Sequence, residues 1–156
     1  AAQNAKKKSN AMEKPASLRA EIERALPEIA ANPEKLAMFV TDGRVQAYKS
    51  TLSHETAYTL TVLIENYSGG QDEVRAVIIN WLQKHQADIL HPGANADGRY
   101  TFEADILRHD AADLLIQLQL TERTRAIPGS DGRIIIDHPK NADHSDLQRV
   151  LGHKVP

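Results

Sequence analysis

The sequence predicts an α+β fold, a two-layer sandwich of mostly antiparallel sheet with two main helices covering one face. Three observations carry that expectation. Several runs alternate apolar and polar residues, the period-two signature of strands with one wet face. Consecutive runs are separated by tight-turn signals, whereas parallel strands need long crossovers. Two further segments repeat their apolar residues at helical spacing, enough to cover the apolar side of one sheet.

Ser17 is a favourable N-cap, and Leu18, Ile22, Leu26 and Ile29 follow on one helical face, predicting a first helix to about Ala31. Pro27 lies inside it and should kink or split it, because proline lacks a donor and clashes with the carbonyl one turn back. Asn32-Pro33 stops the helix and can cap a further short turn. Met38 to Thr41 and Arg44 to Tyr48 flank Asp42-Gly43, a pair suited to positive φ, and predict a hairpin. From His54 to Tyr67, Tyr58, Leu60, Val62 and Ile64 alternate with Thr59, Thr61, Leu63 and Glu65, a half-buried strand. Gly69-Gly70 breaks it, and Val74, Val77, Ile78, Trp81 and Leu82 then mark a second helix to about Leu90, with Trp81 as a core anchor.

His91-Pro92-Gly93 and Asp97-Gly98 bracket a loop. After it Tyr100, Phe102, Ala104 and Ile106 alternate with Thr101, Glu103, Asp105 and Leu107. His109 to Ala112 makes a short reversal into Leu114, Ile116, Leu118 and Leu120, interleaved with Leu115, Gln117, Gln119 and Thr121. Pro128-Gly129-Ser130-Asp131-Gly132 is a dense turn signal before a short strand from Arg133 to Asp137. Stacking these strands places Thr59, Thr61, Glu65, Thr101, Glu103, Asp105, Gln117, Gln119 and Thr121 on a second, polar face that can stay wet or meet another subunit.

The chain has 156 residues, the size of one ordinary domain, with 41% hydrophobic and 26% charged residues, as a folded globular protein has. The domain is expected at 12–137, followed by a polar tail at 138–156 that is a possible docking element. Residues 1–11, with Lys6-Lys7-Lys8 and Ser9-Asn10-Ala11 directly before Met12, resemble an expression-tag remnant. Without those three lysines the net charge falls from −2 to −5, against a nucleic-acid partner. No run is long and apolar enough to span a membrane, and no apolar secretory core follows the lysines. The absence of cysteine excludes disulfides and thiolate chemistry and suits a reducing compartment, the cytosol by default.

No chemical motif stands out. Gly69-Gly70 is followed by Gln71-Asp72, without the lysine and hydroxyl residue of a phosphate loop, and no nucleophile elbow exists. His54, His85, His91, His109, His138, His144 and His153 lack the spacing that sets two metal ligands on one helical face. The one enzymatic lead is Glu65, Glu103 and Asp105, which could share the polar face and serve a small metal-dependent enzyme or ligand-binding domain. Alternating charged residues on a wet strand face are common for solubility alone, and that reading is preferred. The expectation is therefore a non-enzyme with neither cofactor nor metal.

Several segments, in order, resemble the tail completion protein R family of P2-like contractile-tailed bacteriophages. They are Ser17-Leu18-Arg19, Asn32-Pro33 with Met38-Phe39-Val40, Tyr58-Thr59-Leu60, Trp81-Leu82 with Gln86-Ala87-Asp88-Ile89, Phe102-Glu103-Ala104-Asp105-Ile106, and Leu118-Gln119-Leu120-Thr121-Glu122-Arg123-Thr124. The last is the most specific. Ala87 stands where that family's pattern has proline, and the tail after Pro139 carries no matching segment. The resemblance implies a phage or prophage structural protein that completes the head-proximal end of the tail and permits head-tail joining. It would act as a homo-oligomer, by analogy a hexameric ring, against the tail tube and head-tail connector proteins. It would reside in the virion tail after assembly in the host bacterial cytoplasm, with no need of nucleic acid or membrane.

Thr121, Glu122 and Arg123 continue the last long strand past its apolar run, so they could lie at the rim of the sheet beside Gln117 and Gln119. They are candidate interface residues, although Glu122 and Arg123 equally suit ion pairs within the subunit. Leu147, Val150 and Leu151 form a short apolar stripe, either a docking element or a loosely packed terminus.

Overall fold

The computed structural model of the chain describes residues 12–90 and 98–138. Helix α1 spans Glu13–Ala25 and so begins before the expected Ser17 cap. The reason is tertiary. The backbone N–H groups of Glu13 and Lys14 donate to the carboxylate of Glu122, at 3.3 and 3.4 Å, so a distant strand supplies the acceptor that an N-cap side chain usually provides. Pro15 sits in the first turn, where its missing N–H costs nothing. Ser17 is left inside the helix, its hydroxyl accepting the Trp81 indole N–H at 3.0 Å.

Pro27 splits the predicted helix. Leu26 turns extended at φ −115° and ψ 103°, and α2, Pro27–Ala31, restarts with the proline in its first turn. Asn32 ends α2, its N–H shared between the carbonyls of Glu28 and Ile29, and a 3-10 turn follows at Pro33–Lys35.

Strand β1 runs Leu36–Tyr48 and β2 runs Thr51–Tyr67, antiparallel to it. This corrects the expected hairpin at Asp42-Gly43, since the reversal lies at Lys49-Ser50. Asp42 does take a positive φ of 54°, but inside β1, where pairing shifts between Thr41 and Arg44. The pair that could have closed a hairpin instead forms a bulge.

Helix α3 spans Gln71–His85 and ends short of the predicted Leu90, the chain continuing as a 3-10 turn at Ala87–Leu90. The break falls at Gln86, whose side-chain amide is drawn onto a strand described below. Strands β3 (Tyr100–Arg108) and β4 (Ala111–Pro128) form the predicted second hairpin, turning at His109-Asp110. After a turn in which Gly132 takes φ +82°, β5 (Ile134–Asp137) pairs with the far end of β4.

All pairings are antiparallel, in the order β1-β2-β4-β3 with β5 on β4. Register sets Leu36, Ile64 and Leu114 in one row and Leu60, Leu118 and Tyr100 in another, all on the face that the helices cover. Leu18, Ile22 and Leu26 of α1 and its end, with Val74, Ile78, Trp81 and Leu82 of α3, pack on that face. Each fully buried side chain of this size contributes about 1.5–3 kcal/mol, against about 1 kcal/mol for a cap, so packing holds the helices to the sheet. The fold is α+β, as expected.

One polar knot secures the turn between β2 and α3. The Glu28 carboxylate accepts from the Ser68 N–H at 3.0 Å, the Ser68 hydroxyl at 2.6 Å and Lys35 Nζ at 2.8 Å. Partial burial pushes this carboxyl up, but the bonds from Lys35 and Ser68 outweigh it and hold the group below its ordinary value.

Candidate functional site

The two faces of the sheet differ sharply. On the open face Thr61 and Thr101 flank Gln117, and Thr59 lies opposite Gln119, its hydroxyl donating to Gln119 Oε1 at 3.2 Å. Gln117 and Gln119 are exposed. The polar face predicted from alternation is thus assembled by register, and no described helix covers it.

Beyond Thr56 and Glu122 the sheet outruns its helices. β1, β2, the end of β4 and β5 continue together, with Val45, Tyr48, Leu52, Ile127, Ile134, Ile135 and Ile136 all exposed. Arg123 belongs to this extension, exposed and opposite Glu55 of β2, whose other neighbour is Gln46 of β1. Arg125 reaches Asp137 of β5 at 3.6 Å. A second apolar exposure lies on β3, where Phe102, Ile106 and Leu107 stand open and the Arg75 guanidinium rests 4.9 Å over the Phe102 ring.

Glu122 turns inward, and the half-buried Thr121 beside it is held through its backbone and hydroxyl by Gln86 and Lys14. Glu122 is 8% exposed and accepts the Tyr58 hydroxyl at 2.6 Å in addition to the two α1 N–H groups. Gln86 Oε1 accepts the Thr121 N–H at 3.0 Å and Lys14 Nζ at 2.5 Å, while Gln86 Nε2 donates to the Thr121 hydroxyl at 3.1 Å. Lys14 Nζ also donates to the Thr121 carbonyl. Burial lowers the Lys14 pKa to about 8, although Glu122 opposes the shift. Burial together with the Glu122 carboxylate holds the Tyr58 phenol far above its usual value. This network clamps the α1 start, the α3 end and β4 together, so the two residues are tied within the subunit. Period two contained the signal, because Glu122 has the same parity as the buried Leu114, Ile116, Leu118 and Leu120.

The structure does not assemble an acidic site. Glu103 pairs with Leu115 and Asp105 with Asp113, while Glu65 lies where the β2–β4 pairing is interrupted. All three are exposed, and no group of three His, Asp or Glu residues among the described residues could hold a metal ion. The enzymatic reading finds no support. His85 stacks on Trp81 with ring centroids 4.9 Å apart, and His54 Nδ1 lies 2.9 Å from the Leu52 carbonyl oxygen. No described helix is long and apolar enough to cross a membrane. Leu147, Val150 and Leu151, like the rest of the tail from Pro139 and residues 1–11, lie outside the described residues.

Comparison with known proteins bears on this arrangement. No solved structure matches the chain. Tail completion protein R of Escherichia phage P2 is 34% identical over 131 residues, which cover 83% of this chain and 82% of that protein. The family model described as P2 phage tail completion protein R (GpR) matches residues 12–142, so the chain is a member of that family.

Proposed function

We propose that the protein completes a phage tail by docking against other virion proteins, acting at the head-proximal end so that head and tail can join. The observation that carries the reading is the sheet that outruns its helix layer. A subunit that worked alone would gain nothing from exposing Val45, Tyr48, Leu52, Ile134, Ile135 and Ile136 on paired strands, whereas an assembly subunit can bury them on docking. The tail tube and the head-tail connector are the partners this role requires. A homo-oligomer, with a hexameric ring as the arrangement in view, would present the exposed Arg123, Gln117 and Gln119 to them. Residues Leu147, Val150 and Leu151 remain proposed as a docking stripe. The role is structural and belongs to the virion tail, with assembly in the host cytoplasm and no call for catalysis, nucleic acid or a membrane.

Deleting the gene from a parent phage tests this. Electron microscopy of lysates should show heads and tails made but unjoined, with joining restored by the protein supplied in trans. Normal infectious particles from the deletion phage would overturn the assignment.

A further inference from the structure

We propose that copies of this chain join edge to edge, β3 of one subunit pairing antiparallel with β1 of the next, so that one sheet runs continuously through the assembly. The proposal deepens the assembly reading above and rests on it. β1 and β3 end the strand order, so their outer edges lack strand partners among the described residues. Successive antiparallel pairings through β1, β2, β4 and β3 leave the two edges running in opposite directions. A copy placed by rotation about an axis along the strands keeps every strand direction, and so sets its β1 antiparallel to the first copy's β3.

The side chains at the two edges match. Phe102 and Ile106 share the helix-side face, since their partners Ile116 and Ala112 are buried there, yet they are 49% and 63% exposed. Val40 and Val45 share that face through Leu60 and Thr56, and are 46% and 67% exposed. The Asp42-Gly43 bulge absorbs one residue, so the two valines stand opposite residues four apart on β2, the separation of Phe102 and Ile106. The bulge therefore aligns a two-residue apolar edge on β1 with a two-residue apolar edge on β3. On the open face β3 carries Glu103 and Asp105 where β1 carries Arg44. Pairing β3 with β3 would oppose these carboxylates, whereas pairing β3 with β1 sets them against a cation. A second copy offering the opposite edge is thus the occupant that fits.

Two double variants test the joint: Val40→Lys with Val45→Lys blocks the β1 edge, and Phe102→Lys with Ile106→Lys blocks the β3 edge. Sedimentation and native mass spectrometry should show multiples of the subunit mass for the parent chain and a monomer for each variant alone. Each variant keeps one working edge, so an equal mixture should give a two-subunit species and nothing larger. A parent chain that stays monomeric across a concentration series, a variant that keeps the parent's mass, or one that dimerises alone would each overturn the joint. Circular dichroism and a cooperative melt check folding. Should a lysine variant misfold, Val45→Thr and Ile106→Thr, which keep strand propensity, should still weaken association, and unchanged association would overturn the joint. The deletion phage separates the two readings: defective tail completion with a monomeric protein rejects the strand-edge joint and leaves the tail role standing.

Discussion

The Tyr58 hydroxyl donates to the Glu122 carboxylate at 2.6 Å, linking residues 64 positions apart on neighbouring strands. The same carboxylate closes the start of α1, so one side chain satisfies a buried phenol and two helix N–H groups. This explains why a charged residue is retained on the helix-covered face of β4.

Glu122→Ala should therefore destabilise the fold by about 3 kcal/mol, because it strands a buried hydroxyl as well as the helix start. Glu122→Gln keeps an acceptor oxygen and should lose less than half as much. Urea denaturation of both variants and of Tyr58→Phe would check the assignment. A double-mutant cycle between positions 58 and 122 should show coupling of about 1–2 kcal/mol. Additive losses would mean that the two groups act independently.

Lys14 makes stability depend on pH in the alkaline range. Its folded pKa, about 8, lies below the ordinary lysine value of 10.5, so between those values the unfolded chain binds more protons. Stability should then rise as pH increases from about 8 toward 10.5, the cost of the buried charge being present in full below that window. Glu122, Asp88, Glu55 and Arg123 are the charges that bear on the amine. Chemical denaturation at a series of pH values should show the rise in the parent and its loss in Lys14→Met. Equal slopes in the two proteins would exclude Lys14 as the source.

Trp81 is 2% exposed, sits in the helix-sheet core and donates to Ser17 in α1. Trp81→Ala should cost about 3–5 kcal/mol through the cavity it leaves, enough to unfold a marginal domain. Ser17→Ala removes only the hydrogen-bond acceptor and should cost about 1 kcal/mol. Thermal melts would separate the two, and a Trp81→Ala protein within 1 kcal/mol of the parent would show that the ring is peripheral.

Much of this fold was legible because β2 and β4 lie inside the sheet and pack one face on the helices, which imposes clean alternation on both. Pro27 was legible too, since its ring geometry acts locally. What sequence could not resolve was local chemistry with two uses. Asp42-Gly43 supplies a positive φ to a turn or to a bulge, and the length over which β1 and β2 pair selects the bulge. The start of α1 was misplaced because its acceptor comes from Glu122, more than a hundred residues away. Phe102 and Ile106 read as an apolar face, but only the strand order shows that β3 is an edge that the helices leave open.

Arg123 is the sharpest test of assembly without loss of fold. It follows the buried Glu122 directly, so alternation turns it to the open face, where it is exposed. Its cross-strand neighbour is Glu55, and Arg123→Glu would oppose two carboxylates there at a cost of a few tenths of a kcal/mol, about 0.2–1 at most. That is too little to unfold a domain held by a packed helix layer. A charge at a docking rim, by contrast, steers association and excludes wrong partners, so its reversal acts on assembly. The Arg123→Glu protein should keep the parent's circular dichroism and melt while failing to restore head-tail joining to the deletion phage. Full complementation would remove Arg123 from the interface, and a misfolded variant would show that its guanidinium supports the subunit itself.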